Sequence, residues 1–143
     1  MRTIDLTYDV DAPAEKVFAE LTDLDGLKRW RTMESVRLEP DGTVAVGTYI
    51  HSVVKAPGKT MRFVNEVTTL DHQTLAYEDR YVEGTFPIES GWQIEAKGQG
   101  SRVHWTTRYE GRGGLRLLGP LLGVMIRKGQ QKDLASFARL VQQ

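Results

Sequence analysis

The chain has 143 residues, no cysteine, 19 basic and 19 acidic side chains and a hydrophobic share of 40%, which is the size and balance of one ordinary soluble domain spanning residues 1–143. The missing cysteines exclude a disulfide scaffold and a thiolate metal site. A formal charge of zero removes the field that would draw a small domain onto phosphate backbones or anionic bilayers, unless a local patch supplies it, so nucleic acid is not an expected partner.

The first segment alternates with period two: Ile4, Leu6, Tyr8 and Val10 point one way, and Thr3, Asp5, Thr7, Asp9 and Asp11 the other, which predicts a half-buried strand. Asp11-Ala12-Pro13-Ala14-Glu15 then offers a polar cap, a proline suited to a first helical turn and an early carboxylate, followed by the apolar stripe Val17, Phe18, Leu21. A short helix from about Pro13 to Thr22 is predicted. Asp23-Leu24-Asp25-Gly26 caps a second short helix ending near Trp30.

From there to Glu110 the pattern is strand and turn. The predicted strands are Ser35 to Glu39, Thr43 to Val54, Thr60 to Leu70, Thr74 to Val82, Phe86 to Lys97 and Ser101 to Glu110, separated by turns such as Pro40-Asp41-Gly42 and Ala56-Pro57-Gly58-Lys59. Six strands with no helix between them predict an antiparallel meander and an α+β domain.

After Gly111, Gly113 and Gly114 the spacing becomes helical from Leu115 to Val141. Leu134, Phe137, Ala138 and Val141 form a narrow stripe, whereas Leu117, Leu118, Leu121, Leu122, Val124, Met125 and Ile126 cover most of the circumference upstream, a pattern expected of a segment buried on several sides. Pro120 either starts the main helix or kinks one that begins near Leu115. The apolar stretch Leu117 to Ile126 is broken by Gly119, Pro120 and Gly123 and is much shorter than the roughly 20 residues a spanning helix requires, so no integral membrane contact is expected. The N-terminus carries acidic residues from its fifth position and no cleavage site after an apolar core, which predicts a cytoplasmic location.

Val10-Asp11-Ala12-Pro13-Ala14-Glu15-Lys16-Val17-Phe18 with Leu21-Thr22-Asp23 and Leu27-Lys28-Arg29-Trp30 resembles the N-terminal signature of the START-like (SRPBCC) superfamily, in particular its polyketide cyclase/dehydrase branch. Leu115-Arg116-Leu117-Leu118-Gly119-Pro120-Leu121-Leu122 with Lys132-Asp133-Leu134 is similar to the matching tail, so the resemblance runs over the whole chain. It implies a helix-grip fold: a seven-stranded antiparallel sheet wrapped around a long C-terminal helix, with two short helices after the first strand. It also implies an apolar cavity holding a lipid, sterol or polyketide-like molecule, and in this family the end of the second short helix guards the cavity mouth. Carriers, sensors and aromatases share the fold, so function rests on the cavity.

Candidates for that cavity are Trp30, Tyr49, His51, Phe63, Tyr77, Asp79, Trp92, Trp105 and Tyr109, with Leu118, Leu122, Met125 and Ile126 on the helix. Each also has a plainer reading as core or surface. Strand alternation puts Trp92 with Ile94 and Trp105 with Val103, while His51 shares parity with Tyr49 and Val53 and its direction is ambiguous. Tyr77, Asp79 and Tyr81 alternate with Ala76, Glu78, Arg80 and Val82, so either an acid with two phenols or an acid with a guanidinium lies inside. An inward Asp79 would be a desolvated carboxyl, the setting of a general acid or base.

His72 is expected in a solvated turn and His104 on an outward face. The three histidines lie at no mutual ligand spacing, and Gly111-Arg112-Gly113-Gly114 lacks the lysine and serine of a phosphate loop. No metal or cofactor is therefore expected. Gly119, Gly123 and Gly129 each cost about 1 kcal/mol in a helix and call for an offsetting close approach or withheld volume. The leading expectation is a monomer or homodimer that carries or senses a hydrophobic molecule in a cavity closed near Trp30 and Pro57. A cyclase/dehydratase-type enzyme acting in the same cavity is the alternative, and Arg80, Asp79, Tyr109 and His51 are its polar candidates. A protein-interaction module would require an exposed apolar or basic face, which balanced charge does not favour.

Overall fold

The computed structural model describes residues 1–56 and 58–142. Strand β1 (Arg2–Val10) leads into helix α1 (Ala14–Leu21) and a 3-10 helix, Leu24–Arg29. Strands β2 (Ser35–Glu39), β3 (Tyr49–Ala56), β4 (Lys59–Asp71), β5 (Ala76–Gly84), β6 (Ile88–Lys97) and β7 (Gly100–Tyr109) follow. A second 3-10 helix (Gly113–Leu118) precedes helix α2 (Pro120–Val141). The seven strands form one antiparallel sheet in the order β1-β7-β6-β5-β4-β3-β2, a meander whose two ends are β1 and β2. This is the α+β helix-grip architecture.

Register fixes which side chains look inward. Leu6 pairs with Trp105, Trp105 with Trp92, Trp92 with Tyr77, Val67 with Asp79, Asn65 with Ile50 and Ile50 with Leu38, so these residues share the concave face. Their neighbours alternate outward into ion pairs such as Asp9 with Arg102 and Glu89 with Arg108. Bulges in the β4–β5 ladder, between Val64/Asn65 and Val67/Thr69, sharpen the curvature that lets the sheet wrap.

Several predicted boundaries move, each for a local reason. Residues 43–48 do not extend β3: the Thr48 N–H donates to the Ala45 carbonyl (3.0 Å), and the Ala45 N–H donates to the Thr48 hydroxyl (3.0 Å), closing a turn. Asp11 does not cap α1. Its backbone N–H instead donates to Gln142 Oε1 (2.8 Å), tying the end of β1 to the end of α2, and Pro13 flanks the helix.

Pro120 starts α2, because Gly119 sits at φ +52°, a left-handed conformation that ends the preceding 3-10 helix. The expectation that the first turns are buried on several sides fails. Leu117 is 89% exposed, and Leu121, Val124 and Met125 are about half exposed, at 53%, 48% and 51%. The α2 face carrying Leu122, Gln130, Asp133, Leu134, Phe137 and Val141 is the one that enters the core.

Gly123 admits a side chain, not sheet backbone: the Tyr109 hydroxyl occupies the space where its Cβ would lie. Gly119 and Gly129 have nothing at the corresponding place. Gly123→Ala is therefore expected to destabilise the fold by about 1–3 kcal/mol, because a fixed helix methyl would displace Tyr109 from the core. Tyr109→Phe, which removes the clashing oxygen, should recover part of that loss. Denaturant unfolding of the two single variants and the double variant checks this, and additive losses would show that the two positions do not interact.

Candidate functional site

The end of the first 3-10 helix delivers Trp30 into the middle of the concave face. Its ring lies 6.1 Å from Trp92, 6.2 Å from Trp105 and 5.1 Å from Phe137 of α2, while Trp92 stacks on Tyr77 at 4.7 Å. Such tilted and edge-on pairs add to the area these rings bury. Trp105 reaches the Ser90 hydroxyl (3.4 Å), but the indole N–H groups of Trp30 and Trp92 make no hydrogen bond among the described residues.

Arg31, the next residue, lays its guanidinium over Trp105 (5.1 Å) and Trp30 (6.0 Å). Its Nε stands 3.8 Å from Asp133 Oδ2, near enough for charge attraction but too far for a hydrogen bond, and has no hydrogen-bond partner among the described residues. Burial pulls this guanidinium below its ordinary value, opposed by Asp133, Asp79 and Tyr77. Asp133 Oδ1 accepts from the Thr32 backbone N–H (3.1 Å) and hydroxyl (3.0 Å), which fixes the loop after Trp30 onto α2. Burial raises the Asp133 carboxyl, opposed by Arg31 and Thr32.

Across the face stand Tyr77 and Asp79. The Tyr77 hydroxyl donates to Asp79 Oδ2 (2.8 Å), and Asp79 Oδ1 accepts from Asn65 Nδ2 (3.0 Å) and the Ser90 N–H (3.0 Å). Burial nevertheless raises Asp79 from 3.8 to about 6, because three hydrogen bonds and the charge of Arg31 only partly replace lost hydration. Tyr77 is pushed well above its ordinary value, by burial first and then by the neighbouring carboxylate.

Asp79 also has a structural reason to be there. The β5–β6 ladder covers only Ala76 with Gln93, Tyr77 with Trp92 and Glu78 with Gly91. Beyond it, side chains serve the free backbone groups: Asp79 takes the Ser90 N–H, Glu89 Oε2 takes the Tyr81 N–H (2.9 Å), and Asn65 Nδ2 donates to the Ile88 carbonyl (2.7 Å).

Past this cluster the concave face is not fully covered. Ser52, Val54, Met61, Asn65, Tyr81 and Ile88 are inward by register yet only half-buried. The Arg112 guanidinium sits 5.9 Å from the Tyr81 ring. It also lines a cleft of about 770 Å³ at the adjoining end of the molecule, which reaches Tyr109 and Leu122 and is edged by Arg2, Arg116 and Glu110. The loop at Pro57, expected to help close the cavity, lies outside the described residues.

The sequence candidates separate accordingly. Trp30, Phe63, Tyr77, Asp79, Trp92, Trp105 and Tyr109 come together on the concave side, with Phe63 packed edge-on against Phe86 at 5.2 Å. Leu122 is buried there, and Leu118 and Ile126 are half-buried. Tyr49 and His51 lie on the opposite face, because Ile50 between them takes the inward position; His51 Nε2 is 2.8 Å from Glu39 Oε1. Met125 projects from the exposed side of α2. Arg80 pairs with Glu66 on the outer face. The inward arginine is Arg31, and no period-two pattern marks it because it follows a 3-10 helix. His72 is exposed and rests edge-on against Phe18 (5.3 Å), and His104 faces Glu95 outside. Among the described residues no group of three acidic or histidine side chains is placed to hold a metal.

The fold is shared with solved structures. A protein from Thermus thermophilus matches with TM-score 0.77 at 27% identity over 98% of this chain and 94% of that one. An aromatase/cyclase from a Streptomyces species matches with TM-score 0.82 at 16% identity, covering 99% and 93%. A START superfamily protein from Mycobacterium smegmatis matches with TM-score 0.82 at 15% identity, covering 98% and 97%. No curated protein is matched by sequence. The model of the family described as polyketide cyclase / dehydrase and lipid transport matches residues 1–142, and such membership supports binding of a hydrophobic small molecule. With that match over nearly its whole length, on a helix-grip sheet closed by α2, the chain belongs to the polyketide cyclase/dehydrase and lipid transport family.

Proposed function

We propose that this chain holds a hydrophobic molecule bearing a carbonyl or hydroxyl group against the open part of the concave face, as a carrier or sensor. The observation that carries this is the set of buried polar groups on the concave side with no partner among the described residues, Trp30 Nε1, Trp92 Nε1 and Arg31 Nε, on the same face as a strip of half-buried inward side chains. Leaving a buried donor unpaired costs about 1–3 kcal/mol, a cost that a ligand oxygen would remove. The apolar remainder of the ligand supplies affinity through area, at about 25 cal/mol per Å² before ordering costs. Arg112 stands between the open strip and the cleft at Tyr109, where it can govern entry.

A charge placed on the strip should block uptake. Val54→Arg is expected to weaken binding of a hydrophobic fluorescent probe about tenfold or more, whereas His51→Arg, on the opposite face, should leave it unchanged. Equal effects of both, in proteins matched for thermal stability, would overturn the placement of the ligand.

One observation favours a second reading, a cyclase/dehydratase-type enzyme: the Asp79 carboxyl at about 6, hydrogen-bonded to Tyr77 on the same face as Arg31. A carboxyl so poised can exchange a proton near neutral pH while a guanidinium polarises a carbonyl. The same shift has a stability signature. A folded-state value raised above the unfolded one means that the protonated form is favoured by folding. The contribution is full below about pH 4 and is lost as pH rises through about 6, amounting to about 3 kcal/mol. The stability of the wild-type protein relative to Asp79→Asn should accordingly fall between pH 4 and pH 7 in denaturant titrations, and a flat difference would mean that Asp79 titrates at its ordinary value.

A further inference from the structure

The exposed apolar side chains at the start of α2 lie within a segment whose charge departs from the rest of the chain. Between Gly111 and Lys132 there are five basic residues, Arg112, Arg116, Arg127, Lys128 and Lys132, and no acidic one, in a protein of zero net charge. Leu121, Val124, Met125, Lys128 and Lys132 recur at three- and four-residue spacing, so they share one face of α2, and all are exposed. Leu117, almost wholly exposed, precedes that face, and Arg116 stands beside it. The next acid in the sequence, Asp133, is buried and engaged with Thr32 and Arg31. Arg127 is held to the Asp5 carbonyl and does not belong to the surface.

We propose that this surface, with Leu117, Leu121, Val124 and Met125 at its centre and Arg112, Arg116, Lys128 and Lys132 around them, docks on an anionic lipid bilayer. Aliphatic side chains that would otherwise face water enter the boundary between headgroups and acyl chains, while the surrounding cations meet lipid phosphates. Among the described residues no helix is long and apolar enough to cross a membrane, so the contact proposed is one of α2 lying on the surface. Charge selects the occupant. A second copy of the chain would bring the same cations against one another, and a nucleic acid would leave the four apolar side chains without a partner. The surface adjoins the cleft at Tyr109 and Leu122, which places the bilayer beside a route to the concave face. Arg112, beside Tyr81, is the one residue the surface shares with the entry to the proposed ligand site; the substitutions that test the surface, at Leu121, Met125, Lys128 and Lys132, lie outside that site.

Flotation of the full chain with vesicles of phosphatidylcholine alone, and of phosphatidylcholine mixed with phosphatidylglycerol, tests the proposal. The protein is expected to float with the mixed vesicles only, and to be released as salt is raised. Lys128→Gln and Lys132→Gln should each weaken binding about fivefold, and Leu121→Ser with Met125→Ser about tenfold or more. Lys97→Gln, at the end of β6 and away from the start of α2, should change it less than about twofold. These are exposed positions, and circular dichroism confirms that each variant is folded. Failure to float, equal binding to neutral vesicles, or indifference to the Leu121 and Met125 substitutions would overturn the proposal. So would a stable dimer that Leu121→Ser dissociates, or binding to an RNA oligomer in place of vesicles. Probe uptake by the same variants separates the two proposals: lost flotation with intact uptake tests the surface alone.

Discussion

Everything that closes this molecule depends on Trp30. A sheet curved around a helix has a core only where something fills the wedge between them, and here that is one indole touching Trp92, Trp105 and Phe137 at once. Because Trp30 ends a 3-10 helix, its burial fixes the path of the chain before and after it. Before it, Leu24 and Leu27 seat the short helix; after it, Arg31 and Thr32 meet Asp133 of α2. The same contact that completes the core therefore delivers a guanidinium to the interior, next to the carboxyl and phenol of β5.

That delivery carries a thermodynamic penalty. Charges drawn out of water are costly unless closely paired, and Arg31, with about three quarters of its side chain covered, is paired loosely at 3.8 Å. Asp79 is satisfied by three donors yet still resists ionisation. A domain built only for stability would fill this volume with aliphatic side chains. The polar cluster instead has one structural duty, holding Ser90 and Ile88 where the β5–β6 ladder stops, and one capacity that structure does not use up, the free Nε of Arg31 with the two indole donors. Recognition of an oxygen-bearing hydrophobic molecule fits that surplus.

Period-two alternation was enough to place β1, β6 and β7, because each has one face against the core and one in water, and the resulting register carries Trp92 and Trp105 inward. It was ambiguous for Tyr49 and His51, where Val53 and Val54 offer apolar residues to both faces and only pairing with β2 and β4 decides. It could not find Arg31, whose position follows from the packing of Trp30 and not from any repeat. The helix illustrates the opposite error. An apolar circumference at Leu117 to Ile126 reads as burial, but burial needs a partner surface, and the sheet reaches only the side bearing Leu122 and Ile126. Whole-chain neutrality hid the segregation of cations into the same segment, since a sum over 143 residues averages away a run of 22.

The short ladder between β5 and β6 has a mechanical meaning. With only Ala76, Tyr77 and Glu78 in register with their partners, the sheet is divided into a three-stranded plate, β1-β7-β6, and a four-stranded plate, β5-β4-β3-β2, joined along a seam that side chains finish. Where a longer ladder would hold the two plates, the Ile94 N–H on the Leu75 carbonyl (3.0 Å), the Tyr77–Trp92 stack and the side-chain bridges from Asp79, Glu89 and Asn65 do so. Trp30, Trp92 and Trp105 rest on the first plate and on α2, and the half-buried strip lies mostly on the second. The width of the volume between them is thus set by side-chain packing at one seam, where Tyr77 stacks on Trp92 and Asp79, Glu89 and Asn65 bridge the strands, and not by a continuous backbone ladder.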